Sequence, residues 1–271
     1  MKKLRILTLA LAAPAALVAG DWGKEVVDPV CAVPFTGSVS VGYESLYMFR
    51  GIDYGGDAPW MGIDLSIPVL GSSIDLGAWY INPTDERNSA NDANDELDLY
   101  ASMSRSFGGV NVTSGVIFYS FPEAGAADGT RDFEKFISLA YAVGDLIDVT
   151  WSTYYSLNFN ADRQFASVQG DGAWFHDLNF SKGMALTDCL PAGLSFGLGF
   201  SDNYNTNAND GTAYSGLNHY YTTLGLTYAL TEAAALDMYL GGSFADDDVA
   251  GNFSATQGDV LHGGASISVS F

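Results

Sequence analysis

Apolar and polar residues alternate through nearly the whole chain, the period of a strand with one greasy and one wet face. The clearest run sets Val149, Trp151, Thr153, Tyr155, Leu157 and Phe159 against Asp148, Thr150, Ser152, Tyr154, Ser156 and Asn158. Similar stripes recur as Leu194, Phe196, Leu198 and Phe200, as Leu224, Leu226, Tyr228 and Leu230, and as Leu236, Met238, Leu240 and Phe244. Taken together, such runs predict twelve strands, over 38–50, 58–69, 73–82, 95–106, 110–120, 131–143, 147–159, 171–183, 192–203, 217–230, 234–245 and 261–271.

The connections add a second regularity. Those after strands 2, 4, 6 and 10 are tight ("LGS", "FGG", "GDL", "TEA"), and the turn after strand 8 reads as longer than its fellows. Those after the odd-numbered strands are mostly longer and rich in Asp, Asn and Gly. Short turns at one end, long loops at the other and an even strand count are the layout of a bacterial outer-membrane barrel. The predicted fold is therefore all-β, a 12-stranded antiparallel transmembrane barrel with both termini on the periplasmic side. A soluble sandwich or lipocalin-like barrel would spend its apolar face on a core. Here the polar face is dominated by Ser, Thr, Gly and Asp. Trp60, Trp79, Tyr80, Tyr119, Trp174, Tyr220 and Tyr221 gather near strand ends, as interfacial girdles do.

Lys2, Lys3 and Arg5 precede the apolar run "ILTLALAAPAALVAG", which ends in small residues. That pattern predicts a signal peptide over 1–20, with no cysteine at its junction to carry a lipid anchor. A periplasmic N-terminal segment over 21–37 and a barrel over 38–271 follow. Beyond the signal, no stretch nears the roughly 20 apolar residues of a spanning helix. With 32 acids against 11 Lys and Arg, a formal charge of −21 excludes nucleic acid as a partner recognised through a basic patch.

The stretch "YESLYMFRGIDYGGDAPWMGIDLSIP" resembles the first hairpin of the TorF family of porins, in which a Tyr/Phe-Arg-Gly-Ile motif ends the first strand. The likeness is clearest over residues 38–82. It implies an outer-membrane porin and carries no residue roles. Asp53 and Tyr54 depart from it, standing where small hydroxyl residues are common. At the other end, "GGASISVSF" puts Ala265, Ile267, Val269 and Phe271 on one face. This looks like the terminal-aromatic signature read by the barrel-assembly machinery.

Strand register then sorts the charged residues. On strand 1, Val39, Val41, Tyr43, Tyr47 and Phe49 are assigned to lipid, so Ser38, Ser40, Glu44 and Arg50 face the lumen, with Arg50 at the outer mouth. The same rule lines the pore with Asp64, Asp75, Glu96, Asp98, Glu134, Asp148, Asp177 and Asp237, of which Asp64 and Asp177 join Glu44 nearest mid-depth. Lys135, Lys182 and Arg105 fall outward near strand ends, where long cationic side chains reach headgroups. An acidic lining with one cation predicts a cation-preferring porin or narrow channel for small solutes, set in outer-membrane lipid. The alternative is a non-conducting structural barrel, its lumen filled by side chains and by the segment around Cys31, because twelve strands lie between filled and open barrels. Arg50 either closes a structural pair with Asp53, Asp57 or an acid on a neighbouring strand, or faces acids across the lumen as a constriction cation. Gly51, Gly55 and Gly56 suit a tight external turn.

Catalytic and metal chemistry find little support. A barrel lipase needs Ser and His within reach on one face, yet His176 falls outward, and His219 and His262 are expected at the rim in solvent. "DERNSANDANDELD" and "ADDDVAG" are acidic but lack the spacing of a calcium loop. No enzyme activity, metal or cofactor is expected. Cys31 and Cys189 both fall on the periplasmic side and form the one candidate disulfide.

Overall fold

A computed structural model describes residues 35–85, 95–122, 131–157, 172–187, 190–251 and 256–271. Residues 1–20, expected to be a signal peptide, and Cys31 and Cys189 of the candidate disulfide lie outside the described residues. Twelve antiparallel strands close into one barrel: β1 (Thr36–Phe49), β2 (Ile52–Val69), β3 (Ser72–Ile81), β4 (Glu96–Phe107), β5 (Val110–Ser120), β6 (Arg131–Val143), β7 (Ile147–Ser156), β8 (Ala173–Thr187), β9 (Leu190–Thr206), β10 (Ala213–Ala229), β11 (Ala234–Ala245) and β12 (Val260–Ser270). The seam is a regular ladder from Ser38 opposite Ser270 to Glu44 opposite Gly264. Phe271 extends it by exchanging backbone bonds with Gly37, at 2.9 and 3.1 Å.

Tight turns gather at the end where β1 begins. Leu70 and Gly71, with φ of 48° and 78°, join β2 to β3 through the doubly left-handed turn that matches strand twist. The connection after β8 is only residues 188–189, shorter than its sequence suggests, because β8 and β9 extend their pairing to Thr187 and Leu190. At the other end β2, β9 and β10 run to 17 or 18 residues, longer than the roughly 9 to 11 that cross a bilayer.

The outward face is apolar and bare. Val41, Met61, Leu99, Met103, Leu194, Leu224, Leu240 and Leu261 all stand exposed there, forming a contiguous greasy surface of the kind a water-solvated monomer rarely shows. Arg105 lies outward, 5.4 Å from the Phe107 ring centre, and Lys182 donates to the Asp145 carbonyl at the tight-turn end.

Inside, small residues and flat aromatics share the wall. Trp60, Trp79, Tyr119 and Tyr221 point inward, and only Tyr80, Trp174 and Tyr220 of the expected girdle face out. Nearness to a strand end does not decide the face; register does. Trp60 shares its row with Gly42 and Ile81, and Tyr221 shares one with Gly197 and Ser243. Several inward rings lie over a glycine on the adjacent strand: a β-carbon at Gly77 would collide with Tyr100, and one at Gly197 with Tyr221. Gly77→Val is expected to push Tyr100 off the wall and take its hydroxyl from Asp64, costing about 1–3 kcal/mol as overpacking does. The measurement is the urea midpoint of the refolded barrel in detergent, and an unchanged midpoint would contradict the packing described.

Candidate functional site: an inward hairpin latched across the lumen

The first hairpin leaves the barrel wall. β1 pairs with β12 only as far as Glu44, after which β12 is held on that side by the Gly263 N–H donating to Ser45 Oγ at 2.9 Å. The β1–β2 register shifts between Leu46 and Met48, with the extra residue on β2, where Gly55 and Asp57 have φ of 132° and 50°. A bulge of this kind bends the ribbon and re-aims its side chains. Tyr47 and Phe49 therefore point into the barrel. Their assignment to lipid fails because the alternation persists in sequence while the ribbon itself turns.

The turn at the tip is Arg50–Gly51, φ 49° and 80°. It lies inside the barrel and is not an external turn; Gly55 and Gly56 belong to β2. Ile52 packs with Tyr214 and Val249, the Asp53 N–H donates to Gln257 Oε1 at 3.2 Å, and Asn218 Nδ2 donates to the Arg50 carbonyl at 2.7 Å. The tip thus reaches β10, through Tyr214 and Asn218, and is capped by Val249 and Gln257 of the connection leading to β12.

Arg50 ends in a bidentate pair with Glu134, Nη1 to Oε1 and Nη2 to Oε2 at 2.6 Å each. In a closed ring of twelve, β6 lies nearly opposite β1, so the pair spans the lumen. The partner is neither Asp53 nor Asp57 nor an acid on a neighbouring strand; Asp57 instead accepts from the Tyr43 hydroxyl. Glu134 accepts two further bonds, from Tyr119 at 3.0 Å and Tyr204 at 2.8 Å. The guanidinium carbon lies 4.3 Å from the ring centre of Tyr154, 4.5 Å from Tyr204, 4.7 Å from Phe49 and 5.0 Å from Phe175. The Arg50 side chain is 8% exposed and that of Glu134 fully buried. Such a site stabilises a planar cation by paired charge-assisted bonds and by ring faces together. A lone Glu134 on β6 gives no hint of this in sequence, since its partner is 84 residues away.

The other expected interior acids all occupy the inward register, most of them held by hydroxyls. Glu44 accepts from Trp60 Nε1 at 3.0 Å and from Tyr239, Asp64 from Tyr100 and from Ser38 at 3.3 Å, and Asp177 from Tyr221 at 3.1 Å. Asp75 accepts from Ser66 and Ser73, Asp237 from Thr227 and Ser268, and Glu96 from Tyr47. Asp98 lies in register with Trp79 and Tyr119, and Asp148 with Ala142 and Ser181. One interior acid escaped the sequence reading: Asp132, in register with Tyr119, accepts from Ser156 at 3.0 Å. Its place two residues before Glu134 was the available signal. Arg50 is the one cation inside the barrel among the described side chains.

The histidines also depart from expectation. His219 is buried, 5.5 Å from the Tyr221 ring and 6.2 Å from Phe175, because the inserted hairpin covers it at Gly51. His262 points inward onto Tyr239. Neither is a solvated rim residue. His176 does face out, between Trp151 and Trp174, with Nδ1 2.8 Å from Thr153 Oγ1. Among the described residues no group of three or more His, Cys, Asp or Glu is placed to hold a metal ion.

Residues 28–258 match a family described as a bacterial protein of unknown function, Gcw_chp. The chain belongs to this family. Among solved structures, this Gcw_chp barrel is similar to the NanC porin, with TM-score 0.50, 13% identity, and coverage of 86% of this chain and 98% of that one. It is similar to the KdgM porin at TM-score 0.50 and 10% identity, over 86% and 99% of the two chains. A third likeness is the COG4313 outer-membrane channel of Pseudomonas putida F1, at TM-score 0.51 and 11% identity, over 93% and 100%. No curated protein matches. Identities this low show a shared fold, that of a twelve-stranded barrel of the outer-membrane porin type.

Proposed function

We propose that this Gcw_chp barrel is an outer-membrane channel for passive diffusion of small solutes, cation-preferring and narrowed at its outer end by the first hairpin. The observation that carries the reading is the charge of the interior. Ten or so acids line the wall, and the one cation inside the barrel among the described side chains is spent on Glu134, so the remaining carboxylates set the field felt by a passing ion. The apolar exterior supports a setting in lipid, the tight turns a periplasmic end carrying both termini, and the TorF-like first hairpin a place among porins. Phe271, bonded to Gly37 and packed edge-on to Phe35, supports recognition of the last strand by the assembly machinery.

A planar bilayer under a KCl gradient tests this. The expected reversal potential favours K⁺ over Cl⁻, and Glu44→Gln, Asp64→Asn and Asp177→Asn combined are expected to bring the permeability ratio several-fold closer to one. Each replacement keeps a polar group for its tyrosine, so the barrel should still form. An anion-selective reversal potential would sink the proposal. So would a folded protein that passes no current even with the hairpin unlatched, which favours the structural-barrel alternative.

A further inference from the structure

The Arg50 site has an unusual division of parts. Only Arg50 and Phe49 come from the hairpin; Glu134, Tyr119, Tyr154, Phe175 and Tyr204 come from five successive strands, β5 to β9, of the wall. Withdrawing the hairpin would leave a carboxylate flanked by three ring faces and facing the lumen. It would still hold two phenolic donors, from Tyr119 and Tyr204, so the vacated carboxylate is not orphaned. A bare ion pair needs neither the rings nor their fourfold disposition around one guanidinium. Recognition of a planar organic cation needs both.

We propose that this wall site is a receptor for guanidinium-bearing solutes in the lumen, that Arg50 is its tethered occupant, and that a free guanidinium cation competes with Arg50 and unlatches the hairpin. The inference rests on the channel reading for its route of access. Two features favour this class of ligand. The two oxygens of Glu134 meet two guanidinium nitrogens at 2.6 Å each, a fork that an ammonium or an alkali ion cannot reproduce. The rings stand at 4.3 to 5.0 Å from the guanidinium carbon, the spacing at which a flat, weakly hydrated cation gains most from their faces. Competition is reachable, because a tethered ligand acts at an effective concentration on the order of millimolar.

The test uses Arg50→Gly, which suits the left-handed φ of 49° at this position and removes the side chain without backbone strain. Methylguanidinium chloride is titrated into the folded variant in detergent micelles by calorimetry, with methylammonium chloride at equal ionic strength as the comparison. Saturable binding is expected, about tenfold or more tighter for methylguanidinium, falling at least about tenfold in Arg50→Gly/Glu134→Gln. In the wild-type protein, methylguanidinium and not methylammonium should speed hydrogen exchange of backbone amides 46–57. That measurement decides the matter by itself if the variant does not fold. Equal binding of the two cations, indifference to Glu134→Gln, or unchanged wild-type exchange would overturn the inference. The outcomes separate from those of the channel reading: a variant that conducts K⁺ but binds no methylguanidinium overturns the receptor alone, and one that binds it without ever conducting overturns the channel alone.

Discussion

Replacing Glu134 with Ala is expected to free the first hairpin and raise the conductance of the barrel several-fold. In the folded protein the Arg50 guanidinium is almost fully withdrawn from water, with Glu134 as its counter-charge. Removing one member of such a pair strands the other, at a cost of about 3–5 kcal/mol. That cost falls on the latched conformation and not on the barrel, whose twelve ladders close without the hairpin tip. At about 1.4 kcal/mol per factor of ten, the ratio of released to latched hairpin rises by two orders of magnitude or more. Arg50 then regains water, and with it go Phe49 from its contact with Tyr119 and Ile52 from Tyr214 and Val249. Single-channel recording should show larger or longer openings in Glu134→Ala, with exchange of amides 46–57 accelerated to match. Arg50→Lys should fall between, keeping the charge while losing the fork and much of the stacking. Unchanged conductance together with unchanged exchange would show that the hairpin is held by its apolar contacts and that the pair is incidental.

The sequence disclosed the barrel and concealed the hairpin, for one physical reason. Alternation reports which face a residue occupies only while the strand stays in the sheet with unbroken register. From Ser38 to Glu44 both conditions hold, and Val39, Val41 and Tyr43 do face out. Past Glu44 the chain has lost β12, so the pattern that continues through Tyr47 and Phe49 describes a ribbon whose orientation the wall no longer sets. Gly55, Gly56 and Asp57 were the local clue to a bend, but glycines there fit an external turn equally well. The interior acids were legible because each sits in a regular strand, whereas their tyrosine donors were not: Tyr100 and Tyr221 look the same in sequence whether they meet lipid or lie over a facing glycine. His219 was misplaced for the same cause as Tyr47 and Phe49, since what buries it is the hairpin turned inward, which meets it at Gly51. Asp53 and Tyr54, the positions that depart from the TorF pattern, lie on that inserted segment. Tyr54 contacts Tyr47 and Phe49 within it, and Asp53 Oδ1 accepts from the Gly55 N–H at 3.0 Å, so the departure falls where the hairpin packs against itself.

Leu240→Arg is expected to cost about 2–4 kcal/mol of folding free energy in a bilayer, while Tyr228→Arg costs only about 0–1. Both side chains face outward, Leu240 62% and Tyr228 48% exposed. Leu240 stands midway along β11 in register with Leu224 and Gly263, and Tyr228 stands next to the tight turn, opposite Leu236. Exposure alone would make Leu240 the more tolerant site, since a solvated surface position usually changes stability by no more than about 0.5 kcal/mol on substitution. Lipid inverts that order: an arginine at the midplane must drag water or headgroups inward, whereas one near the interface reaches them directly. Refolding both variants into vesicles and comparing urea midpoints therefore separates a membrane barrel from a water-soluble one by the sign of the difference. A midpoint for Leu240→Arg equal to or above that of Tyr228→Arg would mean that the apolar face is not in lipid, and the channel reading would fall with it, because a lumen serves transport only if its outer wall is embedded in the barrier it crosses.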